Sequence, residues 1–267
     1  MDLPISGPPV SLSRRQLLRW AGGAGLAAAL TGCSDRALDQ QTGAPAAKVA
    51  AGPSPSSAAP VAPKDEPAPA KAVVAPLLCR DAWGARAARA GGVTHTITRM
   101  TLHHSGVVLP DNRTITDRLR QHQSNHQDQR GWIDIAYHIG IDHDGNIFEL
   151  RPIEYVGDTA TDYDPTGHFL VLCEGDFDQE PVPDAQLHSA AVVFAWAAQT
   201  YRISTDTLAG HRDFAATACP GGNLYAHLSS GDLRQRVDEL VAAGPVELRR
   251  VCGDEAAAMV AGIEAGR

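Results

Sequence analysis

His211 and Cys219 stand eight residues apart in the stretch GHRDFAATACPGGNLY (residues 210–225), with Pro220 directly after the cysteine. Eight residues is about two helical turns, and it matches neither step of a structural zinc finger, Cys-x-x-Cys or His-x-x-x-His. The Ala, Gly and Pro content points to a loop that folds back on itself. Such a loop could bring an imidazole and a thiolate onto one metal ion, with other ligands arriving from far away in sequence. Two further histidine-bearing stretches stand out: TLHHSG (101–106) at a strand end, and GWIDIAYHIGID (131–142) on a strand. Taken alone, His211 and Cys219 also read as a buried histidine and an inert core thiol, or as a Cys–His nucleophile pair.

The elements that must position these residues follow from periodicity. Strands are expected at 97–105, 135–142, 146–151 and 168–174. Helices fit 115–126 and 184–201, the second with an apolar stripe at Leu187, Ala190, Ala191, Phe194, Ala198 and Tyr201. A short strand near 205–209 precedes the His211 loop, and a last helix from about 231 to 242 follows it, stopped by Gly244-Pro245. Asp144-Gly145 is a two-residue hairpin turn between two strands. Strands and helices intermix, which predicts an α/β fold with helices packed on a sheet.

The ends of the chain read differently. With 267 residues there is room for one ordinary domain plus extras, or two small domains. Residues 13–18, SRRQLL, resemble a twin-arginine export signal, followed by a Gly/Ala-rich apolar run at 21–30. That run is too short to span a bilayer. It ends in Leu30-Thr31-Gly32-Cys33, which resembles a lipoprotein cleavage box with Cys33 as the lipidated first residue. The expected plan is a signal peptide (1–32), a lipidated Cys33 with a disordered tether (33–76), a folded domain (77–253) and a C-terminal tail (254–267). The localisation expected is the cell envelope, lipid-anchored to a membrane on its extracytoplasmic side. Of residues 41–76, 12 are Ala and 8 are Pro, with no aromatic, so this segment buries too little to offset the entropy of ordering it. Losing three arginines and one aspartate with the first 32 residues takes the net charge from −8 to −10. A net-acidic chain without a basic run argues against nucleic acid as a partner.

RDAWGAR (80–86), LHHSG (102–106), GWIDIAYHIGIDHDGNIFE (131–149), EGDF (174–177) and GHRDFAATACPGGNLY occur in an order that resembles the peptidoglycan recognition protein family of zinc N-acetylmuramoyl-L-alanine amidases. The resemblance covers about 80–228. It implies a single mixed β-sheet flanked by helices. It also implies a zinc ion held by His103, His211 and Cys219, with Tyr137 and Thr217 beside the metal. Three N/S ligands leave a fourth position for water, the pattern of a catalytic zinc site. The reaction implied is hydrolysis of the amide between N-acetylmuramic acid and the L-alanine of the stem peptide. The alternative is a module that binds peptidoglycan without cutting it; in the family, loss of a ligand accompanies loss of activity, and here Cys219 is present. His103 rather than His104 comes from the family, although period-2 parity also sets His103 apart from Met100 and Leu102.

The chain departs from the family pattern in the loop 156–169. Thr159 stands where a histidine is common, Asp164 near an expected asparagine, and Leu170 where many relatives have glycine. His168 is a candidate stand-in for that histidine. His138, on the opposite strand face from Tyr137, is expected to be structural, and His122, His126, His143, His188 and His227 surface or capping residues. Trp83 and Trp132 fit either the core or the glycan groove. Arg212-Asp213 reads as a local ion pair bracing the loop. Cys79 and Cys252 bracket the domain and, in an exported protein, form a candidate disulfide; Cys173 is expected as a buried free thiol.

Overall fold

The computed structural model describes residues 72–267. The expected export signal, Cys33 and nearly all of the tether lie outside the described residues. Among those residues seven strands form one sheet: β1 (Val73–Leu78), β2 (Arg99–His104), β3 (Ile139–Ile141), β4 (Ile147–Glu149), β5 (His168–Cys173), β6 (Leu208–Gly210) and β7 (Val246–Val251). The order is β6-β2-β5-β3-β4-β1-β7, and every neighbouring pair is parallel except the β3–β4 hairpin. Helices α1 (Ile115–Ser124), α2 (Asp184–Tyr201), α3 (Gly222–Ser229), α4 (Asp232–Ala243) and α5 (Gly253–Glu264) complete the fold. This is the mixed sheet flanked by helices that the sequence and the resemblance imply.

Alternation along the strands feeds two separate cores. Met100 and Leu102 of β2 and Phe169 and Val171 of β5 pack with Phe194 of α2 and Val237 of α4. On the other face Leu172 of β5 and Phe148 of β4 pack with Leu119 of α1 and Val260 of α5. All six residues of β5 are buried, as a strand covered on both faces requires.

Four boundaries differ from expectation. The folded part starts at Val73, not Leu77, because β1 pairs with β7 along six residues, from Val73↔Val246 to Leu78↔Val251. Its Ala/Pro content disguises it as tether. Pro76 is tolerated there: Val73 and Cys79 send their N–H groups to the β7 side, so Pro76 faces β4, and β4 pairs only with Leu77 and Leu78. Residues 254–267 are not a tail, since α5 buries Ala256, Val260 and Ile263. The regular part of the strand expected at 135–142 is only β3, although Tyr137 and His138 still exchange backbone hydrogen bonds with Arg151, Leu150 and Leu170. The expected helix 115–126 ends as α1 at Ser124 and continues as a π-turn over Asn125–Gln129.

Cys79 and Cys252 are joined as a disulfide with Cα atoms 5.4 Å apart. The physical reason is register: Leu78 lies opposite Val251 in a parallel pair, so the next residue on each strand meets its counterpart. Cys173 is a buried free thiol.

Candidate metal centre

The β2–β6 register pairs Leu102 with Gly210, so the following residues, His103 and His211, come side by side with ring centroids 4.7 Å apart. Cys219 arrives by the loop after β6. His211 accepts at its carbonyl from Phe214 and Ala215, and Arg212 N–H donates to the Cys219 carbonyl at 3.0 Å, folding the loop back. Arg212 and Asp213 do not pair as expected. The Arg212 guanidinium instead donates to the Ala218 carbonyl and lies over the Tyr225 ring, 4.5 Å from its centroid. Asp213 accepts from Gly210 N–H at 2.7 Å and from the Tyr225 hydroxyl at 2.6 Å. Each braces the loop separately. Gly221, at φ 87°, closes it where a Cβ would come 2.9 Å from His104 Nδ1.

One donor atom each from His103, His211 and Cys219 lies within 4.8 Å of the other two, and all three residues are buried. His103 Nδ1 is 3.7 Å from Cys219 Sγ, and His103 Nε2 is buried without a hydrogen-bond partner. Burial, joined by the neighbouring histidines, holds His103 well below the usual imidazole range. Burial likewise lowers His211 to about 4. Both rings are therefore neutral at physiological pH, with lone pairs to offer. Burial also pushes the Cys219 thiol up to about 12, which makes it a poor free nucleophile and leaves a nearby cation as the group that would deprotonate it. Two imidazoles and a thiol, buried and converging, fit zinc. His104 points elsewhere: its Nδ1 accepts from Phe177 N–H at 3.3 Å.

The trio lies in a cleft of about 840 Å³. Tyr137 lines it, half-buried, with its ring 5.1 Å from that of His103, and burial raises its phenol above the ordinary range. Thr217 also lines it; its Oγ1 accepts from Cys219 N–H at 3.2 Å, so its own proton is free to donate. The far wall comes from α1 and the turn after it, with Arg118, His122, Asn125, His126 and Arg130. Among the described residues Arg118 and Arg130 form no ion pair, and Arg130 lies over the Trp132 ring at 5.3 Å.

At the cleft the expectation of surface or capping histidines fails at two positions. His122 faces the cleft with Nε2 3.2 Å from the buried Glu174 carboxylate. His126 Nδ1 accepts from Ala136 N–H at 3.1 Å, and burial lowers it to about 3. Their signal was present as the polar stripe Arg118 and His122 on α1 and Asn125 in the π-turn that continues it, spaced for one helix face. Trp83 is core, its Nε1 donating to the Glu149 carbonyl at 2.8 Å, while Trp132 is cleft. His168 does not stand in for the absent histidine; it is buried with Nδ1 2.8 Å from Thr101 Oγ1. Asp164 is exposed and accepts from Thr166 N–H. Thr159 lines the cleft, and Leu170 fills the space beneath Gly157, where a Cβ would lie 2.2 Å from Leu170 Cδ1. One contact had no sequence signal: Thr161 Oγ1 lies 2.7 Å from His211 Nε2.

Residues 93–222 match the profile of a family described as N-acetylmuramoyl-L-alanine amidase. Peptidoglycan-recognition protein LB of Drosophila melanogaster is 35% identical over 160 residues, 58% of this chain and 68% of that protein. The human N-acetylmuramoyl-L-alanine amidase is 30% identical over 129 residues, 46% of this chain and 22% of that protein. A solved structure of a Drosophila PGRP-LB mutant in complex with tracheal cytotoxin superposes with a TM-score of 0.52 at 30% identity, covering 58% of this chain and 93% of that one.

Proposed function

The chain belongs to the peptidoglycan-recognition protein family, and on that premise we propose that it is a zinc-dependent N-acetylmuramoyl-L-alanine amidase. The observation that carries this reading is the convergence of His103, His211 and Cys219 at the floor of an open cleft. These three residues would hold the ion; bound there, zinc supplies Lewis acidity to an attacking water and to the scissile carbonyl. The rest of the chemistry belongs to the chain. As water adds to the lactyl carbonyl carbon, the Tyr137 hydroxyl donates to the oxygen that gains charge, and Thr217 offers a second donor. The C–N bond breaks with the L-alanine nitrogen as the leaving group, the lactyl carbon keeps the water oxygen as a carboxylate, and both protons of the water end on the released amine, which departs as an ammonium. Arg118 and Arg130, cations in the cleft of a chain of net charge −8, suit a stem peptide that carries carboxylates.

Digestion of purified peptidoglycan by the domain from Ala72 to Arg267, with mass spectrometry of the products, tests this. The expected products are intact stem peptides with a free L-alanine amino terminus. Peptidoglycan that is bound but uncut would favour the recognition-module reading instead. A thiol hydrolase would survive chelation, whereas the amidase loses activity with its zinc and regains it on zinc addition.

We also propose that the chain is exported through Arg14-Arg15 and anchored by lipid on Cys33 to the extracytoplasmic side of a membrane. Radiolabelled fatty acid should enter the parent protein and not Cys33→Ser.

A further inference from the structure

Neutral imidazole carries one proton, and which nitrogen holds it decides which can meet a metal. His103 leaves Nε2 without a partner and meets the Cys219 thiol at Nδ1, so the only group that could select its tautomer is a fellow candidate ligand. His211 differs. Its Nε2 lies 2.7 Å from Thr161 Oγ1, which lies 2.8 Å from Thr159 Oγ1. Thr159 Oγ1 in turn accepts from Thr161 N–H at 3.1 Å.

With Nε2 held by Thr161, Nδ1 is the His211 nitrogen left for an ion. It can serve only if the ring proton sits on Nε2. Thr161 Oγ1 then accepts from Nε2–H, and its own hydroxyl donates to Thr159. Thr159 already accepts from backbone and hydroxyl of Thr161, so its remaining proton is free to donate into the cleft it lines. The opposite polarity, with Thr161 donating to Nε2, would put the proton on Nδ1 and spoil the ligand.

The loop that presents these hydroxyls is anchored from below. Asp158 pairs with the buried Arg151, whose guanidinium also donates to the Asp134 carbonyl at 3.0 Å. Gly157 sits directly on Leu170. Two departures from the family pattern, Thr159 and Leu170, thus fall on one device.

We propose that Thr161 is a positioning residue of the metal centre, fixing His211 with its proton on Nε2 so that Nδ1 is free for zinc, and that Thr159 extends this chain to the cleft. The inference rests on the zinc reading above. An outward hydrogen bond of this kind orients the ring and raises its basicity, and its loss typically costs about 10–100-fold in metal affinity.

The test compares Thr161→Val, which keeps the shape and removes the hydroxyl, with Thr161→Ser, which keeps the hydroxyl. Zinc affinity is read by competition with a fluorescent chelator at pH 7, and the melting temperature of each zinc-free variant checks the fold. Thr161→Val should bind zinc at least about tenfold more weakly, and Thr161→Ser within about threefold of the parent. Should Thr161→Val melt early, Thr159→Val breaks the same chain one link further out and should weaken zinc by about twofold to threefold, less than the full outer-shell loss. Parent-like zinc affinity in a folded Thr161→Val, or in Thr159→Val where that variant is needed, overturns the proposal. So does equal weakening in Thr161→Ser, which would assign the effect to methyl packing. A parent that binds no zinc overturns both the zinc reading and this one.

Discussion

Leu102 and His103 are neighbours on β2 and serve opposite faces of the sheet. Leu102 enters a closed apolar core beneath α2 and α4. His103 enters the face shared with α1 and α5, which is packed around Leu172 and Phe148 but open as a cleft beside β2 and β6. Histidine occurs on both faces, and its bonding tells the two apart. His138, on the closed face and stacked on Phe169, has both nitrogens engaged by backbone: Nδ1 accepts from Leu170 N–H at 3.0 Å, and Nε2 donates to the Tyr155 carbonyl at 2.9 Å. His103 has neither nitrogen bonded to backbone; Nδ1 faces a thiol and Nε2 has no partner. A structural histidine spends its hydrogen-bonding capacity on the fold, whereas one meant for a ligand keeps it.

Replacing a group on the open face should destroy function and spare the fold. His211→Ala is expected to lose zinc and to drop hydrolysis by about 10⁴ or more, the order seen when a member of a cooperating catalytic set is removed. Its zinc-free form should melt with the zinc-free parent. Zinc at one equivalent per chain in His211→Ala, by metal analysis after mild purification, would break the assignment.

The closed face should behave in the reverse manner. Phe194 is fully buried against the sheet, and Phe194→Ala should cost about 3–5 kcal/mol of stability in denaturant titration. The folded fraction should still bind one zinc. Lost zinc stoichiometry at a temperature where the variant is folded would show that the two faces are coupled.

Tyr137→Phe acts within the open face alone. Removing one donor to a developing oxyanion costs about 10²–10³ in rate, or roughly 3–4 kcal/mol, and the loss falls on kcat because the bond strengthens only in the transition state. Zinc occupancy and peptidoglycan binding should stay near those of the parent. Unchanged kcat would reduce Tyr137 to a wall of the cleft.

What was legible in the sequence divides along the same line. β5 announces itself through a continuous apolar run, α2 through its apolar stripe, and the ligand loop through its His, Cys and Pro. The choice of His103 comes from the family resemblance; strand parity agrees with it by setting His103 on the opposite face from Leu102. β1, β7 and α5 were hidden for a different reason. VVAPLL resembles the tether before it, and VELRRV, on the sheet edge, exposes three of its six residues. They become a strand pair only by meeting across 173 residues, which the Cys79–Cys252 bond records. Thr161 was hidden too, because its meeting with His211 depends on how the loop 156–167 lies over β5.

The smallest expected effect tests the closed face where it is polar. Burial lowers His138 to about 3, and its bonding explains how: with Nδ1 accepting and Nε2 donating, a second proton would set N–H against the Leu170 N–H. Protons therefore bind the unfolded chain, whose histidine titrates near 6.5, before they bind the native one. A group whose folded pKa is depressed contributes stability that is full above about 6.5 and lost as pH falls from there towards about 3, at no more than about 1.4 kcal/mol per pH unit. His126, lowered in the same direction, and acid release of zinc add to the slope, so the parent alone cannot isolate His138. His138→Gln can. It retains a donor for the Tyr155 carbonyl, loses the bond from Leu170 N–H and cannot titrate, while the other acid-sensitive groups are common to both proteins. At pH 7 the variant should be less stable by about 1–3 kcal/mol, the cost of one buried N–H left unpaired. Between pH 6 and 4.5 the gap should narrow by up to about 1 kcal/mol per unit, because only the parent pays for a histidine it must keep neutral. Denaturant midpoints at four pH values measure this. Parallel curves for parent and variant would mean that His138 accepts a proton in the folded state at ordinary cost, and that the closed face is less closed to charge than its hydrogen bonds imply.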